Sequence, residues 1–208
     1  MSESTVKVNR LSAKEPDFEA KLDRLLQREM IVGEEVSRTV SDIIADVKAR
    51  GDAAVIDYTN RFDQFAASSM ADLEISQEQL HASLKRLPEA QLRALQHAAE
   101  RIRRYHDKQK QVSWHYDEPD GSVYGQKISP LEKVGVYAPG GKANYPSSIL
   151  MLAIPAQVAG VKEIIATVPT QYSQDSDLVF AAAALAGVTR LFTVGGAQAI
   201  AALAFGTE

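Results

Sequence analysis

Two glycine pairs stand where α/β proteins often bind ligands: Gly140-Gly141, within Pro139-Gly-Gly-Lys142, and Gly195-Gly196, within Val194-Gly-Gly-Ala-Gln198. Each follows a short apolar run and precedes a helix-forming one. Glycine at such a place lets a ligand approach backbone N–H groups at the positive end of a helix. Neither sequence is a GxGxxG fingerprint or a Walker loop, so the residues leave two readings open, a cradle for a nucleotide-sized ligand or a pair of tight turns.

Other chemistry-bearing residues read more plainly. His81, His97, His106 and His115 show no HExxH pattern and no ligand pair on one helix face, so no metal site is expected from them. Arg101, Arg103, Arg104, Lys108 and Lys110 form a basic run that reads as a solvated helix face rather than a phosphate site. Ser147 and Ser148 follow Pro146 ahead of an apolar run, and a capping role fits them better than a nucleophile's, since no base is suggested nearby.

The elements that must position the glycine pairs alternate strand and helix. Val134–Ala138, Glu163–Val168 and Arg190–Val194 are β-rich runs, continuous in apolar character as strands buried on both faces require. Helices are expected over Ser147–Ala159, Asp177–Ala186 and Ala197–Phe205, the first two stopped by Gly160 and Gly187. This alternation predicts a parallel, doubly wound sheet. Ile149–Ile154 is apolar all round, which predicts protein on more than one side, and Pro155 is a candidate kink.

The preceding residues read differently. A short strand is expected over Val6–Leu11, then an amphipathic helix from Pro16 with Phe18, Leu22, Leu25 and Leu26 on one stripe, ending at Gly33. A second helix carries Val36, Val40, Ile43, Ile44 and Val47 to Gly51, and a third, capped by Asp52, turns Val55, Ile56, Thr59 and Phe62 inward. After a loop at Ala66–Asp72 and a brief strand at Leu73–Ile75, Ser76 and Gln79 have capping-box spacing for a helix with Leu80 and Leu84 inward. The longest helix runs from Pro88 to about Gln109. Its stripe of Leu92, Leu95, Ala99, Ile102 and His106 suits a packed helix hairpin or a dimer seam. Val112–Tyr116 and Ser122–Ile128, around Asp120-Gly121, predict a hairpin. The expected fold is thus α/β, a helical amino-terminal region (1–111), a hairpin connector (112–133) and an incomplete Rossmann-like parallel sheet (134–208).

Composition sets outer limits. The 208 residues are 45% hydrophobic with a formal net charge of -4, which suits one or two globular domains and gives no pull toward nucleic acid. Absence of cysteine excludes disulfides and thiolate metal sites. No apolar run reaches membrane-spanning length and no leader pattern follows Met1, so a cytoplasmic protein without membrane contact is expected.

Four stretches together resemble histidinol dehydrogenase: Gly135–Gly141, Tyr145–Ser148, Leu150–Gly160 and Val194–Glu208. The helical region, with Val47-Lys-Ala-Arg-Gly-Asp52, is similar too, so the resemblance covers nearly the whole chain. It implies NAD-dependent oxidation of L-histidinol to L-histidine through the aldehyde, in a zinc-containing homodimer. It also implies that Tyr137 and Gln198 contact NAD. A tyrosine leaving a strand can pack on the cofactor, and a glutamine at a helix start can both donate and accept.

By the same resemblance, a third NAD contact, the zinc ligands and a Glu-His acid/base pair belong beyond residue 208, leaving no catalytic or metal residue to assign here. The 208 residues alone are therefore expected to be inactive, since zinc needs converging ligands and alcohol oxidation needs a base. A truncated or split chain is expected from the incomplete sheet, with poor solubility or self-association from its open edges. The rival readings are a non-catalytic nucleotide-binding or dimer-forming remnant and an unrelated aldehyde-oxidising dehydrogenase.

Overall fold

The computed structural model describes residues 10–63, 65–140, 145–169 and 176–207. The chain forms two compact units, Met1–Ala45 and Asp46–Glu208. Helix α1 (Phe18–Arg50) makes up most of the described part of the first and runs on into the second. The expected break at Gly33 is absent. A mid-helix glycine keeps its N–H and costs only about 1 kcal/mol relative to alanine, so it weakens a helix without ending it. The left-handed stop is Gly51, with φ 57°. Leu25, Leu26 and Val36, expected inward, are exposed. Of the expected first strand, residues 6–9 lie outside the described residues, and Arg10 and Leu11 are not in a strand.

In the second unit, Arg50 bridges Asp46 (2.6 Å) on its own helix and Asp57 (3.2 Å) on helix α2 (Asp52–Asp63), fixing the corner at Gly51. Helix α2 buries Ala54, Val55 and Thr59. Phe62, expected inward, is exposed and stacks on Tyr58 at 5.6 Å; it shares the face of Val55 and Thr59 but lies in the last turn, where that face is no longer covered. The expected loop contains a short 3-10 turn, Met70–Leu73, in which Asp72 accepts from the backbones of Ser68 and Ser69 at 2.8 and 2.9 Å. Strand β1 (Glu74–Ile75) follows. Helix α3 (Gln77–Arg86) opens with the expected capping box: Gln79 N–H donates to Ser76 Oγ, and Ser76 N–H to Gln79 Oε1.

Helix α4 (Glu89–Asp107) buries Leu95 and Ala99 in the main core, together with buried residues of the helices that flank the sheet. Its stripe is thus used inside the unit. The basic run is partly engaged: Arg103 donates to Gln157 Oε1 (3.0 Å) and Arg104 pairs with Glu100 on its own helix. Strands β2 (Trp114–Asp117) and β3 (Val123–Gln126) form the expected hairpin around Gly121, φ 88°, with Trp114, Tyr116 and Tyr124 stacked on its exposed surface.

The sheet that organises the unit runs β1-β6-β5-β4, where β4 is Lys133–Tyr137, β5 is Glu163–Thr167 and β6 is Arg190–Phe192. β4, β5 and β6 are parallel, with Tyr137 opposite Thr167 and Thr167 opposite Phe192, and β1 adds an antiparallel edge. Helices α5 (Pro146–Ala159) and α6 (Asp177–Ala186) connect them, and α7 (Gly196–Phe205) leaves β6. Ser147 and Ser148 do not cap α5. The N-cap is Tyr145, because Pro146, with φ preset for the first helical turn, starts the helix one residue earlier. Pro155 sits inside α5, which continues through it; proline removes one N–H from the ladder, and the neighbouring turn at Met151 is open to water. Ile149, Leu150, Ala153 and Ile154 are buried while Met151 and Leu152 are exposed, so one side of this apolar helix faces solvent among the described residues.

Alternation along the strands splits the sheet into two unlike faces. Val136, Ala138, Ile164, Ala166 and Leu191 join α5 and α6 in one sealed core centred on Phe180. The opposite face carries Gly135, Ile165, Thr167 and Phe192 and meets α7 across a cavity of about 390 Å³. Among the described residues no helix is long and apolar enough to cross a membrane.

Candidate functional site

Three loops converge where the parallel strands end. A Cβ added at Gly140 would lie 2.7 Å from the Pro169 carbonyl oxygen, and one at Gly195 would lie 2.4 Å from Pro169 Cβ. Only glycine allows both loops to close on Pro169. Backbone bonds draw the ends together: Ala138 N–H donates to Thr167 O and Val168 N–H to Phe192 O, each at 3.0 Å. Gly141, the partner of Gly140 in the first pair, lies with 142–144 outside the described residues, as do residues 170–175.

Gly195 is the N-cap of α7, with no side-chain cap hydrogen bond, and Gly196 holds φ 66°, a left-handed conformation that only glycine adopts without strain. Gln198 is in the first turn of this helix. Its side chain is 1% exposed, and neither Oε1 nor Nε2 has a hydrogen-bond partner among the described residues. The amide folds back over the glycine, since a Cβ at Gly196 would stand 2.5 Å from Gln198 Oε1. A helix-capping role for Gln198 is thereby removed. What remains is a donor and an acceptor, both dehydrated and both unpaired, an arrangement that costs about 1–3 kcal/mol per group until a partner arrives.

Tyr137 ends β4, half-buried, on the sheet face of Gly135 and opposite Thr167. The two carried-over residues thus share the carboxyl edge of one sheet, Tyr137 on the last residue of a strand and Gln198 at the start of the helix after another. In open α/β sheets ligands bind outside the carboxyl ends of the strands. Thr167 was not singled out by sequence, yet its Oγ1 is also buried and unpartnered, and it lines the cavity beneath the site. A threonine closing an otherwise apolar buried strand was the available signal. Among the described residues the other side-chain oxygens that are buried without a partner, on Asp52, Thr59 and Asp63, all belong to α2.

Among the described residues no three His, Asp or Glu side chains converge as a metal set. His81 Nδ1 lies 2.7 Å from Gln77 O and His106 Nδ1 2.6 Å from Gln109 Oε1, each an ordinary contact within or at the end of its helix.

Comparison with known proteins agrees with this architecture. Residues 26–208 match the family model described as histidinol dehydrogenase. The histidinol dehydrogenase of Dechloromonas aromatica is 56% identical over 203 residues, which is 98% of this chain and 47% of that relative. That of Pseudomonas aeruginosa is 55% identical over 201 residues, 97% of this chain and 46% of the relative. The crystal structure of the Elizabethkingia anophelis histidinol dehydrogenase superposes with a TM-score of 0.74 at 33% identity, covering 83% of this chain and 40% of that one. The chain spans about half the length of the curated relatives it matches. With its family model matched across the sheet, the glycine loops and most of the helical region, the chain belongs to the histidinol dehydrogenase family.

Proposed function

We propose that this chain supplies the NAD-contacting part of an enzyme that oxidises L-histidinol to L-histidine through the aldehyde, in histidine biosynthesis. The observation that carries the reading is Gln198, a buried amide with both polar atoms unpaired among the described residues, at the first turn of a helix that begins on two glycines. NAD, when bound, supplies the hydride acceptor. The chain's own residues bind and orient it: Tyr137 packs against the cofactor from the end of β4, and Gln198 donates from Nε2 and accepts at Oε1. In this reading 134–208 is the cofactor-binding portion, with the helical region 1–111 and the connector 112–133 supporting it.

Zinc, which the family resemblance implies, does not fit the described residues, because no ligand set converges there. Its ligands and the acid/base pair are therefore assigned to the other half of the relatives' length. The same reading makes the whole protein a cytoplasmic homodimer that takes L-histidinol and NAD.

The test is to join residues 1–208 in frame to the remaining length of the Dechloromonas aromatica relative and to supply zinc, NAD and L-histidinol. The fusion is expected to form NADH and the 208-residue chain alone is not. A folded, zinc-loaded fusion that forms none favours a nucleotide-binding remnant and overturns the proposal. NADH from the unextended chain overturns the assignment of zinc and base to the other half.

A further inference from the structure

The threonines of the parallel strands and their connections are not alike. Thr189 Oγ1 donates to Ile164 O and accepts from Ile164 N–H, both at 2.9 Å, and Thr193 Oγ1 donates to Leu73 O at 3.1 Å. Thr167, the last residue of β5, is 4% exposed, yet its Oγ1 has no partner among the described residues. Its backbone is held in place, since Thr167 O accepts from Ala138 N–H at 3.0 Å. A buried hydroxyl left unpaired on a fixed strand end costs free energy that the two paired threonines avoid.

Its place in the sheet says what the hydroxyl faces. The register sets Thr167 opposite Tyr137 on β4 and opposite Phe192 on β6, so it stands on the strand between the one that ends in Tyr137 and the one that leads to Gln198. Side-chain alternation turns it to the face covered by α7, where it lines the cavity with Gly135 and Ile165. The parallel strands run in the order β6-β5-β4, which is the 3-2-1 order of a mononucleotide-binding half. In that arrangement the glycine loop follows the first strand, and a side chain about 20 residues further on hydrogen-bonds the ribose 2′-hydroxyl of a dinucleotide. Here the loop through Gly140 follows β4, and the end of the next strand offers Thr167 where such sheets commonly carry a carboxylate.

We infer that Thr167 is the ribose-reading residue of this site, its Oγ1 hydrogen-bonding the 2′-hydroxyl of the adenosine ribose of bound NAD. A threonine hydroxyl both donates and accepts, so it matches a ribose hydroxyl as a carboxylate does, without placing a charge in a buried position. The same contact gives the unpaired Oγ1 the partner it lacks. The inference rests on the reading of the site as NAD-binding and adds to it a side chain with a named contact, on the strand between Tyr137 and Gln198.

The test compares the dissociation constants of NAD and of NAD lacking the adenosine 2′-hydroxyl, measured on the fusion protein and on its Thr167→Val and Thr167→Ser variants. The unsubstituted fusion is expected to bind NAD about tenfold more tightly than the deoxy analogue, the scale of one hydrogen bond whose loss leaves a buried hydroxyl unpaired. Thr167→Val, which keeps the shape and removes the hydroxyl, is expected to bind the two alike, and Thr167→Ser to restore the preference. The melting temperature of Thr167→Val should not fall, because a hydroxyl with no partner inside the protein is lost. Equal binding of both nucleotides by the unsubstituted fusion, or a preference that survives in Thr167→Val, overturns the inference and leaves the NAD reading standing. A folded fusion that binds neither nucleotide overturns the NAD reading and the inference with it. The comparison of the two nucleotides on the unsubstituted protein decides even if the valine variant does not fold.

Discussion

At the amino ends of β4, β5 and β6 the charges are paired. Lys133 meets Glu163 at 2.7 Å, and Arg190 grips both carboxylate oxygens of Glu74 at 2.8 Å, tying β6 to β1. Gln77 adds donors to the carbonyls of Val188 and Thr189 at 3.0 and 2.6 Å. At the carboxyl ends of the same strands, Gln198 and Thr167 hold buried polar atoms with no partner among the described residues, beside glycines at the loop closures. One sheet thus carries a satisfied end and an unsatisfied end. Under the proposed function the difference separates residues that hold the sheet together from residues that bind a ligand, and each class should fail differently when changed.

The largest expected effect is at the closure of the two glycine loops. Gly195→Ala drives a methyl group into Pro169, so the loop must shift; a stability loss of about 1–3 kcal/mol is expected, together with NAD affinity lower by more than about tenfold. Urea unfolding and NAD titration of the fusion protein check both. Unchanged values would mean that the carboxyl end is less crowded than described.

Tyr137→Ala should act on binding before stability. If Tyr137 packs on the cofactor as proposed, its loss should weaken NAD binding by about 1–2 kcal/mol, roughly five- to thirty-fold, with zinc content of the fusion unchanged. A fall in melting temperature with intact NAD affinity would instead make Tyr137 a structural residue.

The smallest effect belongs to the satisfied end. Glu74→Gln removes a partly exposed ion pair and should cost less than about 1 kcal/mol while leaving NAD affinity alone. Arg190 holds the Glu74 carboxyl below its ordinary 4.5. A depressed carboxylate pKa contributes stability that is fully present above the unfolded value and lost as pH falls through the folded one. The stability difference between wild type and Glu74→Gln should therefore shrink as pH drops below about 4.5. Asp72, lowered to about 2 by donors from Ser68 and Ser69, gives way later, between 3.8 and about 2. A difference that grows on acidification would contradict the pairing.

Much of this was legible in the sequence because local rules and tertiary packing agree there. Glycine after an apolar run located the ends of α5 and α6, and Ser76-x-x-Gln79 located the start of α3. Gly33 misled because a glycine signals a stop only when the chain needs a left-handed residue, and that need arises at Gly51. Phe62 misled because helical period gives a face but not how far along the helix that face stays covered. β1 was read as a brief strand, yet its place beside β6 rests on contacts more than a hundred residues apart, such as Gln77 with Thr189. Tyr137 and Gln198 came from a family likeness; local patterning offered only glycines near strand ends. Thr167 and Pro169 stayed hidden because nothing local marks a hydroxyl as unpaired or a proline as the wedge between two loops.

Under the proposed function the amide of Gln198, unpaired among the described residues, is kept for NAD at a cost to the folded chain. Gln198→Leu tests it most directly, with the urea midpoint and the NAD dissociation constant measured on the same samples of the fusion protein. Replacing a buried unsatisfied amide by an apolar group of similar size should raise stability in the absence of NAD by about 1 kcal/mol or more and weaken NAD binding by roughly tenfold. Lower stability with unchanged affinity would contradict the account, because Gln198 would then be a structural residue with a partner inside the protein.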